Sequence, residues 1–134
     1  MEFIVAGAPR SANANSRSRR RWRERVSRAA QERLDQEGEP TDEDIAVITY
    51  FYQGETRLDV DNIAKSLLDG LKGVLFRDDQ QVSELVIRKS RFGAGLSLTG
   101  ASLYLLDAIE RMSQAGSDFV YVRADPAPDH SRIP

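Results

Sequence analysis

Apolar and polar positions repeat with two different periods along this chain. Residues 2–7, EFIVAG, are a short apolar run closed by Gly7 and Pro9, which predicts a strand. The stretch 7–18, GAPRSANANSRS, is crowded with turn formers and predicts a loop. From about Arg19 to Leu34 the period lengthens. Trp22, Val26, Ala29, Ala30 and Leu34 recur every three or four residues, which predicts a helix with Trp22 on its core side. Residues 35–44 are an acidic loop that ends it. IAVITYFYQG (45–54) is rich in β-branched and aromatic residues and predicts a strand. A second helix is predicted from Asn62 to about Gly73, through Ile63, Leu67, Leu68, Leu71 and Val74. Next come a polar turn (76–81) and a strand (82–90) with Val82, Leu85 and Ile87 inward. A glycine hinge FGAG and a short strand LSLT (96–99) follow. Residues 101–115 carry Leu103, Leu106, Ile109 and Met112 in helical register, and 118–124 predict a last strand.

The predicted order is β-α-β-α-β-β-α-β, a single small α+β domain. Its expected parts are a core over 1–99, a C-terminal helix–strand extension over 100–124 and a flexible tail over 125–134. The tail has three prolines in ten residues.

Length and composition narrow the possibilities. The chain has 134 residues, 40% hydrophobic and 30% charged, which fits one modest core. No apolar run approaches the ~20 residues of a membrane span, so no membrane contact is expected. The N-terminus is too short and too early-charged for a secretion signal, and there is no cysteine. A cytoplasmic location is the expectation. The one histidine, His130, lies in the polar tail, so no histidine-based zinc site is expected.

Net charge is −2, but its distribution is uneven. Residues 1–34 hold nine arginines against three glutamates, a surplus of +6, and the rest of the chain carries −8. A basic block beside an acidic remainder points to an anionic partner met on one side. Sixteen of the nineteen basic residues are arginine, whose planar fork suits phosphate.

The candidate chemistry lies in RLDVDNIAK (57–65). In extended chain Asp59 and Asp61, two apart, would share one side. On the predicted helix Asp61, Lys65 and Asp69 stand four apart, on one face. Asp78 and Asp79 fall in the turn after that helix. Oxygen-only ligands suit a hard cation, Mg²⁺ or Mn²⁺, which activates water and neutralises charge in phosphodiester hydrolysis. Spacing alone leaves another reading open, because aspartate at a helix start is ordinary capping and Asp61–Lys65 is a plain i,i+4 pair. A calcium loop is excluded: counting from Asp59, its required glycine and glutamate positions are Ala64 and Gly70.

The combination DVDNIAKSLLDGL (59–71), FRDDQQV (76–82), Lys89 and GLSLT (95–99) resembles the RusA family of Holliday-junction resolvases. The loop GAPRSANA, with Pro9, Ser11 and Asn13, resembles that family's proline–serine–x–asparagine loop. The resemblance covers about residues 2–99. It implies a mixed β-sheet with helices packed on it, in a homodimer that binds four-way DNA junctions. It also implies nicking of two opposed strands with Mg²⁺ or Mn²⁺. Carried over by position, Asp59, Asp61 and Asp79 would hold metal, with Asp78 beside them, and Lys65 would be the catalytic lysine. Asn62 would brace the loop and Asp69 would position Lys65.

The segment between Lys65 and the aspartate pair is about one residue shorter than the family pattern. Residues 100–134 have no counterpart in short family members; three readings stay open for them, covering an edge strand, altering the dimer or binding another protein.

RSRRRWRERVSR (17–28) is the best candidate surface for DNA phosphates, with Arg17, Arg19, Arg20 and Arg23 foremost and Ser11 and Asn13 in the preceding loop. A solvated helix face with arginine–glutamate pairs is the structural alternative. The expected function is metal-dependent cutting of branched DNA in recombination and repair. The rival expectation is a non-catalytic DNA-binding or partner-docking module that keeps the fold.

Overall fold

The structure is a computed structural model that describes residues 1–10, 14–37, 45–76, 82–92 and 100–125. Its elements are β1 (Glu2–Ala6), α1 (Ser16–Glu37), β2 (Ile45–Tyr52), α2 (Val60–Leu71), β3 (Glu84–Arg91), α3 (Leu103–Ala115) and β4 (Phe119–Asp125). The expected class holds: an α+β fold with helices packed on a mixed sheet. The predicted strand at 96–99 lies outside the described residues.

Helix α1 runs three residues further at each end than its apolar period predicts. At its start the Asn15 side chain accepts from the Ser18 N–H at 2.8 Å, an N-cap that polar-loop reading overlooks. Helix α2 begins two residues early, at Val60. Helix α3 is closed at both ends. Ser102 accepts from the Leu105 N–H, and Gly116, at φ 65°, donates to the last-turn carbonyls of Met112 and Ser113.

The sheet order is β1-β4-β2-β3. Strands β2 and β3 run parallel, from Ile45 opposite Glu84 to Tyr52 opposite Arg91. Parallel neighbours need a crossover, and α2 supplies it. Strand β4 is antiparallel to both β1 and β2 and lies between them. Residues 100–124 therefore do not append to an edge of the sheet; their strand fills its middle. The unit β1-α1-β2 is a split crossover with β4 as the inserted strand.

A strand with neighbours on both sides and helices on both faces has no solvent side. Val120 and Val122 of β4 face α1 and α2, in a core with Phe3, Val5, Ile48, Trp22, Val26, Ile63, Leu67 and Leu71. Phe119 and Tyr121 face the other way, with Phe51 and Ala108 of α3. The Phe51 and Phe119 rings stack at 4.8 Å, and Phe92 lies 6.0 Å from each. Helix α3 forms as predicted but is turned differently. Leu103 is 85% exposed, while Tyr104, Leu105, Ala108, Ile109 and Met112 meet the core. The aromatic strand surface takes a small residue, Ala108, at the closest point of contact, which rotates the larger leucines outward. No helix among the described residues is long and apolar enough to cross a membrane.

Candidate active site

Strands β1 and β2 both run antiparallel to β4, so their carboxyl ends lie at the same end of the sheet. Parallel β3 ends there too. Ligands of open α/β sheets bind at this end, where loops lead from strands into helices. The loop after β1 carries Arg10, and the loop after β2 carries Asp59 into α2.

The second loop is tied down on both sides. Asp118, just before β4, accepts from the Gln53 N–H and the Tyr50 hydroxyl, both at 2.9 Å. Burial and that carboxylate together push the Tyr50 phenol well above its usual range. Further along, Lys89 Nζ of β3 donates to the Leu58 carbonyl at 3.0 Å, one residue before Asp59. The Leu58 N–H is taken by the Thr56 hydroxyl at 3.1 Å.

Asp59 is the N-cap residue of α2, with extended backbone (φ −82°, ψ 155°), and its carboxylate makes no capping hydrogen bond. An aspartate there ordinarily folds back onto the N–H two or three residues on. Here only the backbone does the usual work, the Asp59 carbonyl accepting from Ile63 N–H at 3.2 Å. Among the described residues the carboxylate has no hydrogen-bond partner. Asp61 sits in the first helical turn, one of the two places at the helix start that the sequence allows it, while Asp59 precedes the helix in extended backbone. Both are exposed. Two carboxylates with no partner among the described residues, at the positive end of a helix, suit a hard divalent cation, which uses one or two carboxylates and keeps places for phosphate oxygens.

Asp61, Lys65 and Asp69 form an exposed ridge along α2. On one side, Asp61, Lys65 and Asp69 border an open trough against β3, floored by Leu68, Leu85 and Ile87. On the other side is a cavity of about 290 Å³ between α2 and α1. There α2 presents Asn62, Lys65, Ser66 and Asp69, α1 presents Ser16, Arg19 and Arg23, and Arg10 reaches in from the loop after β1. Lys65 thus stands between the carboxylate trough and a cationic cavity.

Gly70 sets the distance between the two helices. A methyl there would lie 2.8 Å from Val26 Cβ and 3.1 Å from the Arg23 carbonyl oxygen. The Ser27 hydroxyl donates to the Gly70 carbonyl at 2.6 Å across the contact. Only a residue without a side chain allows this approach.

The structure therefore brings Asp61, Lys65, Arg19 and Arg23 to one ridge and its two clefts. Arg17 is elsewhere, in a shallow groove on the outer side of α1 with Arg20, Arg21 and Glu24. Arg20 also borders a cleft with Arg23, Ser27 and Asp69. Ser11, Asn13, Asp78 and Asp79 lie outside the described residues. Among the described residues no group of three or more metal-ligating side chains is gathered. Arg10, Ser16, Asn62 and Ser66 are the cavity-lining residues that the sequence did not single out as contacts. For Arg10 the signal was present, since it adjoins Ser11 in the family-like loop.

An α+β fold with exposed carboxylates and a lysine at the strand carboxyl ends, flanked by arginines, is of the class that handles phosphodiesters. A model of the RusA endodeoxyribonucleases matches residues 8–97, from the loop after β1 to beyond β3, and the chain belongs to that family. By that membership it is an endodeoxyribonuclease of the Holliday-junction-resolving kind. No curated protein matches the chain.

Proposed function

We propose that this chain is a divalent-metal-dependent, cytoplasmic endonuclease that cuts branched DNA in recombination and repair, by paired nicks from a homodimer. The observation that carries the metal site is the N-cap of α2, where Asp59 leaves its carboxylate uncommitted at the strand carboxyl end. Asp59 and Asp61 would hold Mg²⁺ or Mn²⁺, completed by Asp79 with Asp78 beside it. The ion would supply positive charge against the phosphate and lower the pKa of water for attack.

The remaining work falls to the chain's own groups. Lys65 Nζ would donate to a non-bridging phosphate oxygen and offset negative charge as the bond to the leaving oxygen breaks. Arg19, Arg20 and Arg23, with Arg17 on the outer side of α1, would hold the flanking backbone, with Ser11 and Asn13 in the loop before them. Phosphate contacts position the duplex arms without reading sequence. A four-way junction has near-twofold symmetry, and a C2 dimer would present two such sites to opposed strands. A protein partner of the C-terminal unit would have the outer face of α3 to use, where Leu103 and Leu106 are exposed, because β4 is interior.

The deciding experiment is Asp61→Asn. Cutting of a synthetic four-way junction in Mg²⁺ or Mn²⁺ falls by about 10²-fold or more. Junction binding in a gel shift is kept or strengthened, because a negative charge near phosphate is lost. Wild-type protein that cuts no junction, flap or fork with either ion would sink the reading.

A further inference from the structure

Three features of the α1–α2 cavity remain once the carboxylates and Lys65 are assigned to the cut. First, α1 loads cations onto its own positive end. Arg17, Arg19, Arg20 and Arg21 fall within its first two turns, and its first turn has no acidic residue. The macrodipole disfavours cations there. Asn15 already caps the helix, so these arginines do not serve its start.

Second, Arg10, Arg19 and Arg23 come from two separate segments to one cavity, where Asp69 is the one carboxylate among the described lining residues. None of the three makes an ion pair with another described residue. Such local conflict, kept at the expense of folding, marks a binding surface. Third, none of the described residues that line the cavity is aromatic. An extruded base would find no ring to stack on, whereas a phosphate needs only charge and donors.

We propose that this cavity is a second phosphate subsite, which takes the backbone phosphate adjacent to the scissile one through Arg10, Arg19 and Arg23. It rests on the reading of Asp59 and Asp61 as the cutting centre. Lys65 belongs to both clefts, so a DNA strand laid across the α2 ridge sets one phosphate on each side of it. The Gly70 contact fixes how far apart the arginines of α1 stand from that ridge. The subsite would hold the strand in register, so that the bond to be cut lies over the trough.

The test is charge-neutral substitution of single phosphates. Four-way junctions carrying one methylphosphonate at successive positions around the cut are bound in EDTA, so that no cutting intervenes. For wild-type protein one flanking position weakens binding by about 10-fold. The Arg10→Ala/Arg23→Ala variant binds the unmodified junction more weakly and becomes insensitive to methylphosphonate at that position. The slope of log affinity against log salt also falls by about two. Arg10→Lys/Arg23→Lys restores part of the sensitivity. Melting temperatures check that both variants fold, and Arg10→Ala alone, on an exposed loop, repeats the test if the pair does not.

A double variant that stays as sensitive as wild type would overturn the subsite, because the arginines would then act only as a diffuse field. Wild-type protein that cuts junctions but shows no sensitive flanking position would overturn it while leaving the cutting centre intact. Wild-type protein that neither binds nor cuts junctions would remove the cutting centre and the subsite together.

Discussion

Helices α1 and α2 cover one face of the sheet and α3 covers the other, and the two layers use their side chains differently. The inward stripes of α1 and α2 are wholly apolar, from Trp22, Val26 and Ala30 to Ile63, Leu67 and Leu71. Their outward stripes carry Arg19, Arg23, Asp61, Lys65 and Asp69, exposed and at the proposed site. Helix α3 presents Ala108 and partly buried neighbours to a small aromatic cluster, and its outer face carries Leu103. On the first face, stability and chemistry occupy opposite sides of the same helices. On the second, packing is the main role that geometry assigns.

The sharpest way to break this comparison is Phe119→Ala, which opens the aromatic cluster under α3. Loss of a buried phenylalanine costs about 3–5 kcal/mol, read by denaturant unfolding. Cutting per folded molecule should stay unchanged; a larger fall would show that the two faces are coupled.

Gly70→Ala comes next. The added methyl meets Val26 and the Arg23 carbonyl, so α1 must shift. The expected loss is about 1–3 kcal/mol of stability. Junction affinity should fall as well, since the shift moves Arg19 and Arg23 away from α2. Stability loss with affinity untouched would mean that the width of the cavity does not matter.

The smallest effect belongs to the α3 side. Burial, then the Glu2 carboxylate that accepts its hydroxyl, push the Tyr121 phenol up to about 12. The folded state therefore keeps a proton that the unfolded chain loses near 10. This contribution is fully present below pH 10 and is lost as pH rises toward 12. Tyr121→Phe should make the alkaline fall in stability shallower, measured by melting between those values. Tyr50, shifted in the same direction, keeps part of the slope. Near neutral pH the variant should lose only about 0.5–1.5 kcal/mol, one hydrogen bond.

Much of the fold was legible in the sequence because period and composition act locally. Every described element was anticipated, with helix ends shifted where a cap, Asn15, or an early turn, Val60, decided them. The place of β4 was not legible. Its partners lie far away in sequence, and its apolar run fits an edge or a centre equally well. The facing of α3 was hidden for a related reason: hydropathy favours leucines inward, but the surface beneath needed alanine.

At the site, the α2 ridge of Asp61, Lys65 and Asp69 followed from four-residue spacing. Whether Asp59 caps its helix or stands free is a matter of side-chain placement, on which spacing is silent. Arg10 stands apart from the dense arginine run of α1 in sequence, and only the fold joins the two segments at one cavity.

The interior position of β4 also bears on the order of events during synthesis. When β1, α1 and β2 have left the ribosome, the slot between the two strands has no occupant. Their unpaired backbone edges face each other until Phe119 to Asp125 emerge. The carboxyl ends that carry Arg10 and Asp59 are brought to one end of the sheet by the strand that follows both of them in the chain. Until β4 is in place, the loop that carries Arg10 has no sheet connection to the β2-α2-β3 unit that carries Asp59, Asp61 and Lys65, so the cationic cavity is completed later than the carboxylate trough.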